Sequence, residues 1–466
     1  MSIRPIWSKP TLVSEWEHDE QEERETYWTS LFYDLILVAG VSAISDPFSE
    51  KMESGEGASE HHHAETSEAL LVSCAPLVEN AILQFFMLTL PWSYLNEYTS
   101  TFQDESLVAH MAFFVHLFGF ATTAAGCVGE LETNYHHLAM GIIITNIGLM
   151  LLYLGPYIHI EKARSHLSFR MITAMVIIVI TFFFTIFDKE EEDFESFRLV
   201  LYFIIVWSIV CHPLVVILKS ERLRLHVAHF TDRWKELTMI IFGEAIFSIT
   251  LEANSSKDWR YYVALLITLW IIFSLALTEF DLFPQPDDHA LRRSLKFAIL
   301  WNFTMIAKTI FLLGTSIGIK RAHSLVWGEQ EHIDADTRSL LIWGTSLTLF
   351  SVVLVRSYSF GYGRHPGPND EPKLVFLKLL WWSLTSILAI GPLLMQGIIS
   401  LLGFEPSPFV LLILLGVLLK IIVLVEAILS NTAAKMTNVE LKSGDNYLGS
   451  TTPRYGSIPT HESMES

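Results

Sequence analysis

Two uninterrupted apolar runs set the limits on what this chain can become. MITAMVIIVITFFFTIF fills 171–187 and FVLLILLGVLLKIIVLVEAIL fills 409–429. At ~1.5 Å of rise per residue, each is about long enough to cross a ~30 Å hydrocarbon layer as an α-helix. Backbone groups find no water in that layer, so only helices and closed barrels traverse it. A barrel would read as segments of about ten residues alternating in polarity, and the sequence has no such pattern. Of its 466 residues, 51% are hydrophobic and only 17% charged. That is too little charge to cover a soluble protein of this size. The expected fold is all-α, a polytopic membrane protein of about twelve transmembrane helices.

The expected spans are 28–45, 69–95, 107–129, 137–157, 169–187, 198–218, 234–252, 260–280, 295–318, 339–357, 373–402 and 407–430. Gly391-Pro392 predicts a kink or break in the eleventh, because proline removes a donor and crowds the preceding turn. Three segments follow. Residues 1–27 form an acidic N-terminal tail without the apolar core of a signal peptide. Residues 28–430 form the membrane domain, with an acidic loop at 46–68. Residues 431–466, rich in Ser, Thr, Gly and Pro, read as a disordered tail. That tail carries Tyr455-Gly456-Ser457-Ile458, which fits a tyrosine-based sorting signal.

With this span order, and with residues near a span end counted with the adjoining side, 21 of the 31 Lys and Arg residues fall on the side of the two tails and eight on the other, leaving Lys308 and Lys420 deep within spans. Basic residues favour the cytoplasm, so both termini are expected there. The sequon Asn254-Ser255-Ser256 then lies outside, making Asn254 a glycosylation candidate beside the membrane. The net charge of −19 sits largely in acidic loops, which argues against nucleic acid as a partner. The lipid bilayer is the expected partner, with protons or small ions as possible cargo and a homo-oligomer left open. Plasma membrane and endolysosomal membrane are not distinguished. Cys74, Cys127 and Cys211 read as small apolar packing residues. His61-His62-His63 lack the spacing of a metal site, and no metal or cofactor is expected.

An internal repeat is visible. WSYLNEYTSTFQDESLVAHMAFF (92–114) aligns without gaps on LALTEFDLFPQPDDHALRRSLKF (274–296), setting Glu97 on Glu279, Tyr98 on Phe280 and Gln103 on Gln285. The simplest account is two six-helix halves in parallel orientation, a plan common among transporters.

Ionisable groups inside membrane helices are costly and mark candidate sites. In HVAHFTDRWKELTMIIFGEAIFSIT (226–250), a turn of 100° per residue puts His229, Asp232, Glu236 and Gly243 on one stripe, flanked by Glu244. The rise from His229 to Glu244 is about 22 Å, so the stripe is a candidate proton or cation route. Asp34 lies one turn into the first span among apolar and aromatic neighbours. It requires a partner from another helix, such as an arginine, or a hydrogen bond made as a protonated carboxyl. Glu97, Glu279 and Asp281 sit at the ends of spans two and eight and read either as sites or as an interfacial salt-bridge belt. Glu79, Asn80, Asn302, Lys308, Lys420 and Glu426 are further intramembrane polar residues whose pairing is not legible.

Three stretches together resemble the bacterial low temperature requirement A (LtrA) family. LFYDLILVAGVSAIS resembles its opening ELFFDLVFV-type motif. HFTDRWKELTMIIFGEAIFSI resembles its H-x-x-E-R…GE motif through His229, Asp232, Arg233, Gly243 and Glu244. EFDLFPQPDDHALRRS resembles its YFD…HALRRS segment through Phe280, Asp281, His289, Arg292 and Arg293. The likeness spans roughly 28–430. Ser30 replaces the opening Glu, Asp232 stands for the Glu of the second motif, and Trp301-Asn302-Phe303 replaces a histidine of the ninth helix. The resemblance implies a multi-pass membrane protein, and the acidic insertion and tail suggest a eukaryotic relative.

The leading functional expectation is an ion- or proton-coupled transporter or channel of unknown substrate. Asp34 and Glu244 would be its proton or cation sites, and Arg233, Arg292 and Arg293 cytoplasmic gating or anion contacts. The alternatives are a non-transporting scaffold or receptor and, behind it, a lipid enzyme built on His226, His229 and Asp232. No G-x-x-x-x-G-K-[ST] loop is present for ATP-driven transport.

Overall fold

The structure is a computed structural model describing residues 6–12, 28–58, 67–129, 131–187, 194–218, 223, 225–251, 259–280, 289–327, 332–359 and 372–436. The chain divides into two compact units, Met1–Leu251 and Glu252–Ser466.

The first unit holds α1 (Trp28–Ala58), α2 (Ser67–Thr101), α3 (Leu107–Gly126), α4 (Leu131–His159), α5 (Arg164–Phe187), α6 (Phe194–Leu218) and α7 (Val227–Leu251). A two-residue antiparallel pairing of β1 (Thr11–Leu12) with β2 (Phe102–Gln103) ties the N-terminal tail to the end of α2. The closest packing joins α3 to α4, and glycine makes it possible. A Cβ on Gly119 or Gly126 would land on the α4 backbone at Thr145 or Leu138; one on Gly141 or Gly148 would land on α3 at Thr123 or His116. The meeting positions 116, 119, 123 and 126 descend against 148, 145, 141 and 138, an antiparallel seam of small residues that brings the backbones together where lipid offers no hydrophobic drive. Helix α1 lies against α3, where Tyr33 stacks on Phe120 with ring centroids 4.1 Å apart. It also packs on α2 and α7.

The second unit holds α8 (Trp259–Phe280), α9 (Ala290–Arg293), α10 (Leu295–Trp327), α11 (Ala335–Tyr358), α12 (Pro372–Ala389), α13 (Gly391–Leu401) and α14 (Pro408–Met436). Its tightest pair is α10 with α11, again through glycine: Gly318 meets Leu341 and Gly344 meets Thr315. Asp334 caps α11 by accepting from Thr337 N at 2.8 Å. Leu374 and Trp381 of α12 pack on Leu429 of α14.

Every expected span falls on a helix, with differences at particular ends. Helix α1 does not stop at 45 but runs to Ala58, so the acidic loop expected at 46–68 is helical in its first part. Glu, Lys, Met and Ala there are good helix formers, and a helix is free to continue past the hydrocarbon edge. Helix α14 likewise continues to Met436, six residues into the expected tail. The eleventh span breaks into α12 and α13 at Ile390, where Pro392 sits in the first turn of α13. By length and composition, eight of the described helices are able to cross a membrane: α3, α4, α5, α8, α10, α11, α12 and α14. The protein is an integral membrane protein on that ground. Asp281, Asn254, His61, His62, His63 and the 455–458 signal lie outside the described residues.

Candidate functional site

The candidate site is the face that α7 turns toward α1 and α2. The buried side of α7 is set by its apolar positions Trp234, Leu237, Ile241, Phe242, Ala245 and Ile249. On that side the polar positions include Arg233, Thr238, Glu244 and Ser248. Of the expected stripe, Asp232 and Gly243 lie on the opposite face, while His229 is buried and Glu236 reaches Arg233. Asp232 has a 60% exposed side chain and accepts from Lys235 at 2.8 Å, and a Cβ on Gly243 would meet nothing within 4 Å. The 100° arithmetic grouped these residues by angle but could not tell where along the stripe the protein-facing side begins.

One polar layer centres on Asp34. Arg233 grips it with both guanidinium arms: Nη1 donates to Oδ2 at 2.5 Å and Nη2 to Oδ1 at 2.7 Å. Trp92 of α2 adds its indole N–H to Oδ1 at 3.2 Å. The guanidinium lies 5.7 Å from the Trp92 ring and also donates to Glu236 one turn further along α7. Bidentate Arg–carboxylate geometry of this kind is strong and directional. The partner that Asp34 required is therefore Arg233. This corrects the expectation for Arg233, which is 3% exposed and serves as an interior counter-ion, not a free contact at the cytoplasmic face.

The second polar layer centres on Glu244, which is 1% exposed. Its carboxyl group is surrounded by hydroxyls. Ser42 of α1 meets Oε2, while Ser45 of α1 and Ser248 of α7 meet Oε1 at 2.8 Å and 2.6 Å. Since Asp34 meets Arg233 and Ser42 meets Glu244, α1 and α7 run parallel. Eleven residues separate Arg233 from Glu244, about 16 Å along the helix. Between them lie the fully buried apolar side chains Leu37 and Val41 on α1 and Leu237 and Ile241 on α7, with the Thr238 hydroxyl turned onto the Trp234 carbonyl. The two layers do not form a continuous titratable path.

The remaining expected residues fall elsewhere. His229 is buried and bonds Ser100 of α2 through Nδ1 at 3.0 Å. Beside it, His226 N donates to the Ser100 carbonyl at 2.9 Å, so these histidines tie the start of α7 to the end of α2. With Asp232 turned away, the three residues of the enzyme reading do not converge. Glu97 pairs with Arg170 and, at 3.2 Å, with His166, both on α5. In the second unit, Glu279 pairs with Lys308 of α10, and Arg356 of α11 donates to Glu426 of α14 at 2.5 Å and to the Thr278 carbonyl. Arg293 donates to the Tyr358 carbonyl at 3.2 Å and lies 3.9 Å from the Phe297 ring; Arg292 is exposed. Glu79 pairs with Arg198 at 2.5 Å, and Lys420 Nζ lies 5.5 Å from the Trp270 ring.

The sequence reading missed the serines. Ser42, Ser45 and Ser248 look like ordinary small helix residues, and the available signal was their placement at i, i+3 on α1 and at i+4 from Glu244 on α7. Among the described residues, no group of three His, Cys, Asp or Glu is gathered as a metal ion would need.

A sequence model of the family described as Bacterial low temperature requirement A protein (LtrA) matches residues 26–429. No curated protein matches the chain.

Proposed function

The chain belongs to the LtrA family, and from that premise we propose that it is an ion- or proton-coupled transporter whose coupling site is Glu244. One observation carries the reading. Among the described residues, Asp34, Glu97, Glu279 and Glu426 each have a guanidinium or ammonium partner, whereas Glu244 has only hydroxyls. A buried carboxylate without a cation is costly. Proteins retain such a group where a proton or small cation comes and goes. Asp34, by contrast, is held by Arg233 and acts as a fixed latch between α1 and α7.

The architecture supports twelve crossings built as two halves. Helices α1 and α7 run parallel, as alternating crossings by α2 through α6 require. The seams correspond as well: Thr123 with Gly141 and Gly126 with Leu138 in the first unit match Thr315 with Gly344 and Gly318 with Leu341 in the second. Under this reading α1 and α7 are the first helices of the two halves, so the site lies where the halves meet, as in many secondary transporters.

The test is purified protein in liposomes carrying an internal pH dye, under an imposed pH gradient at clamped voltage. Flux is expected in wild type, abolished in Glu244→Gln, and reduced in Asp34→Asn in proportion to its folded fraction. Flux that survives Glu244→Gln in folded protein would remove Glu244 from the pathway. The absence of flux above empty liposomes under every imposed ion gradient would favour the scaffold reading, in which the buried pairs only lock helices.

A further inference from the structure

Within its apolar span Pro408–Leu429, helix α14 shows one charge on its outward side. Val417, Lys420, Ile421 and Leu424 are exposed at spacings of three and four, which is one stripe of a helix. Lys420 stands twelve residues after Pro408 and nine before Leu429, so the nearer end of the span is about 14 Å away. Lysines close to a helix end escape hydrocarbon by stretching their heads to the interface. Lys420 does not. Its Nζ lies 5.5 Å from the Trp270 ring of α8, and Trp270 is itself eleven residues after Trp259 and ten before Phe280. The ammonium is therefore held at mid-depth. Trp270 is 49% exposed there, although tryptophan in membrane helices gathers at the two interfaces.

An ammonium on an outward surface at mid-depth is costly where lipid alone covers it, because hydrocarbon offers its protons no acceptor. The Trp270 face attracts the cation but leaves its charge uncompensated. Charge complementarity calls for a carboxylate. Among the described residues this chain has none to spare in its helices at that depth. Asp34, Glu79, Glu97, Glu279 and Glu426 are each paired with a cation, and Glu244 is 1% exposed among hydroxyls. A second copy seated by the same face would set Lys420 against Lys420. We propose that the outward surface of α8 and α14 around Trp270 and Lys420 is the docking surface for a transmembrane helix of another protein, one that carries an aspartate or glutamate at mid-depth. Helices α8 and α14 pack on each other, so the surface is continuous. Leu266 and Phe273 lie about one turn either side of Trp270, and Val417 and Leu424 about one turn either side of Lys420. All four are exposed and supply the apolar margins against which such a helix packs. The inference is independent of which ion, if any, the protein moves.

The test uses the full-length protein in liposomes, carrying a donor fluorophore, with synthetic leucine-alanine helices of about twenty residues that carry an acceptor. The central residue of the peptide is aspartate, leucine or lysine, and energy transfer is titrated against the peptide-to-lipid ratio. The aspartate peptide is expected to associate about tenfold more tightly than the leucine peptide, and the lysine peptide no better than leucine. Lys420→Met is expected to abolish the preference while elution volume and melting temperature stay unchanged, since the side chain is at the surface. Lys420→Arg is expected to keep the preference, and Lys420→Glu to transfer it to the lysine peptide. Equal association of the aspartate and leucine peptides would overturn the proposal, as would an aspartate preference that survives Lys420→Met. Energy transfer between donor- and acceptor-labelled copies of the protein, lost in Lys420→Met, would also overturn it by assigning the face to self-association.

Discussion

At the scale of single residues, the carboxylates were legible and their partners were not. Asp34 stands alone in an apolar stretch, and membrane physics alone demands a partner for it. Which residue answers is decided by the register of α1 against α7, and that register is set by large apolar contacts distant in sequence. The same cause misplaced Asp232, whose angle on α7 was right but whose face was wrong. The Asp34–Arg233 pair makes a testable case. Asp34→Asn leaves a buried guanidinium with only Glu236, and is expected to destabilise the protein by about 3–5 kcal/mol. Replacing both partners, as Asp34→Leu with Arg233→Met, removes the stranded charge and is expected to recover most of that loss. Thermal unfolding in detergent, followed by fluorescence-detected size exclusion, distinguishes the two. Equal losses in the single and double variants would mean that the pair is not the source of the cost.

At the scale of elements, the long apolar helices were legible because runs of this length have one outcome in a membrane, whereas the four-residue α9 was not expected. The break at Gly391-Pro392 was legible for the local reason that proline cannot continue the hydrogen-bond ladder. Helix ends and seams were less so, since charged helix formers carry α1 past the expected edge and glycines in apolar runs look alike in sequence. The structure separates them. A side chain at Gly148 would strike the backbone of His116, whereas one at Gly243 meets open space. Gly148→Leu is therefore expected to cost about 3 kcal/mol or more by overpacking. Gly243→Ala is expected to be neutral or to stabilise by up to about 1 kcal/mol through lower backbone entropy in the unfolded chain. Melting temperatures of the two variants side by side check the contrast, and a destabilised Gly243→Ala would show that something approaches this face of α7.

At the scale of the whole molecule, the compact units divide after α7, one helix later than the boundary that a six-plus-six repeat predicts. The reason is physical. The polar layers on α7 find their partners on α1 and α2, so α7 packs into the first unit even if it begins the second half by descent. A repeat is read along the chain, while packing follows where buried charge is satisfied. If twelve helices cross, the two termini share a side. Epitope tags at both ends are expected to be protected from antibody in intact cells and exposed after selective permeabilisation of the plasma membrane. Protection of one tag only would require an odd number of crossings.

Leu37, Val41, Leu237 and Ile241 have a consequence beyond packing. A buried apolar layer of this kind is an electrical insulator between the Asp34 and Glu244 levels. The two levels stand about 16 Å apart along α7, roughly half of a ~30 Å hydrocarbon thickness. A charge moved between them would therefore do work against about half the membrane voltage, on the order of 1.2 kcal/mol for each 100 mV. A proton that reaches Glu244 from the Arg233 side would cross this layer, so its binding would depend on voltage. One that enters from the opposite end would not cross the layer on binding, so the voltage dependence of proton occupancy at Glu244 reports which mouth of the helix pair admits it.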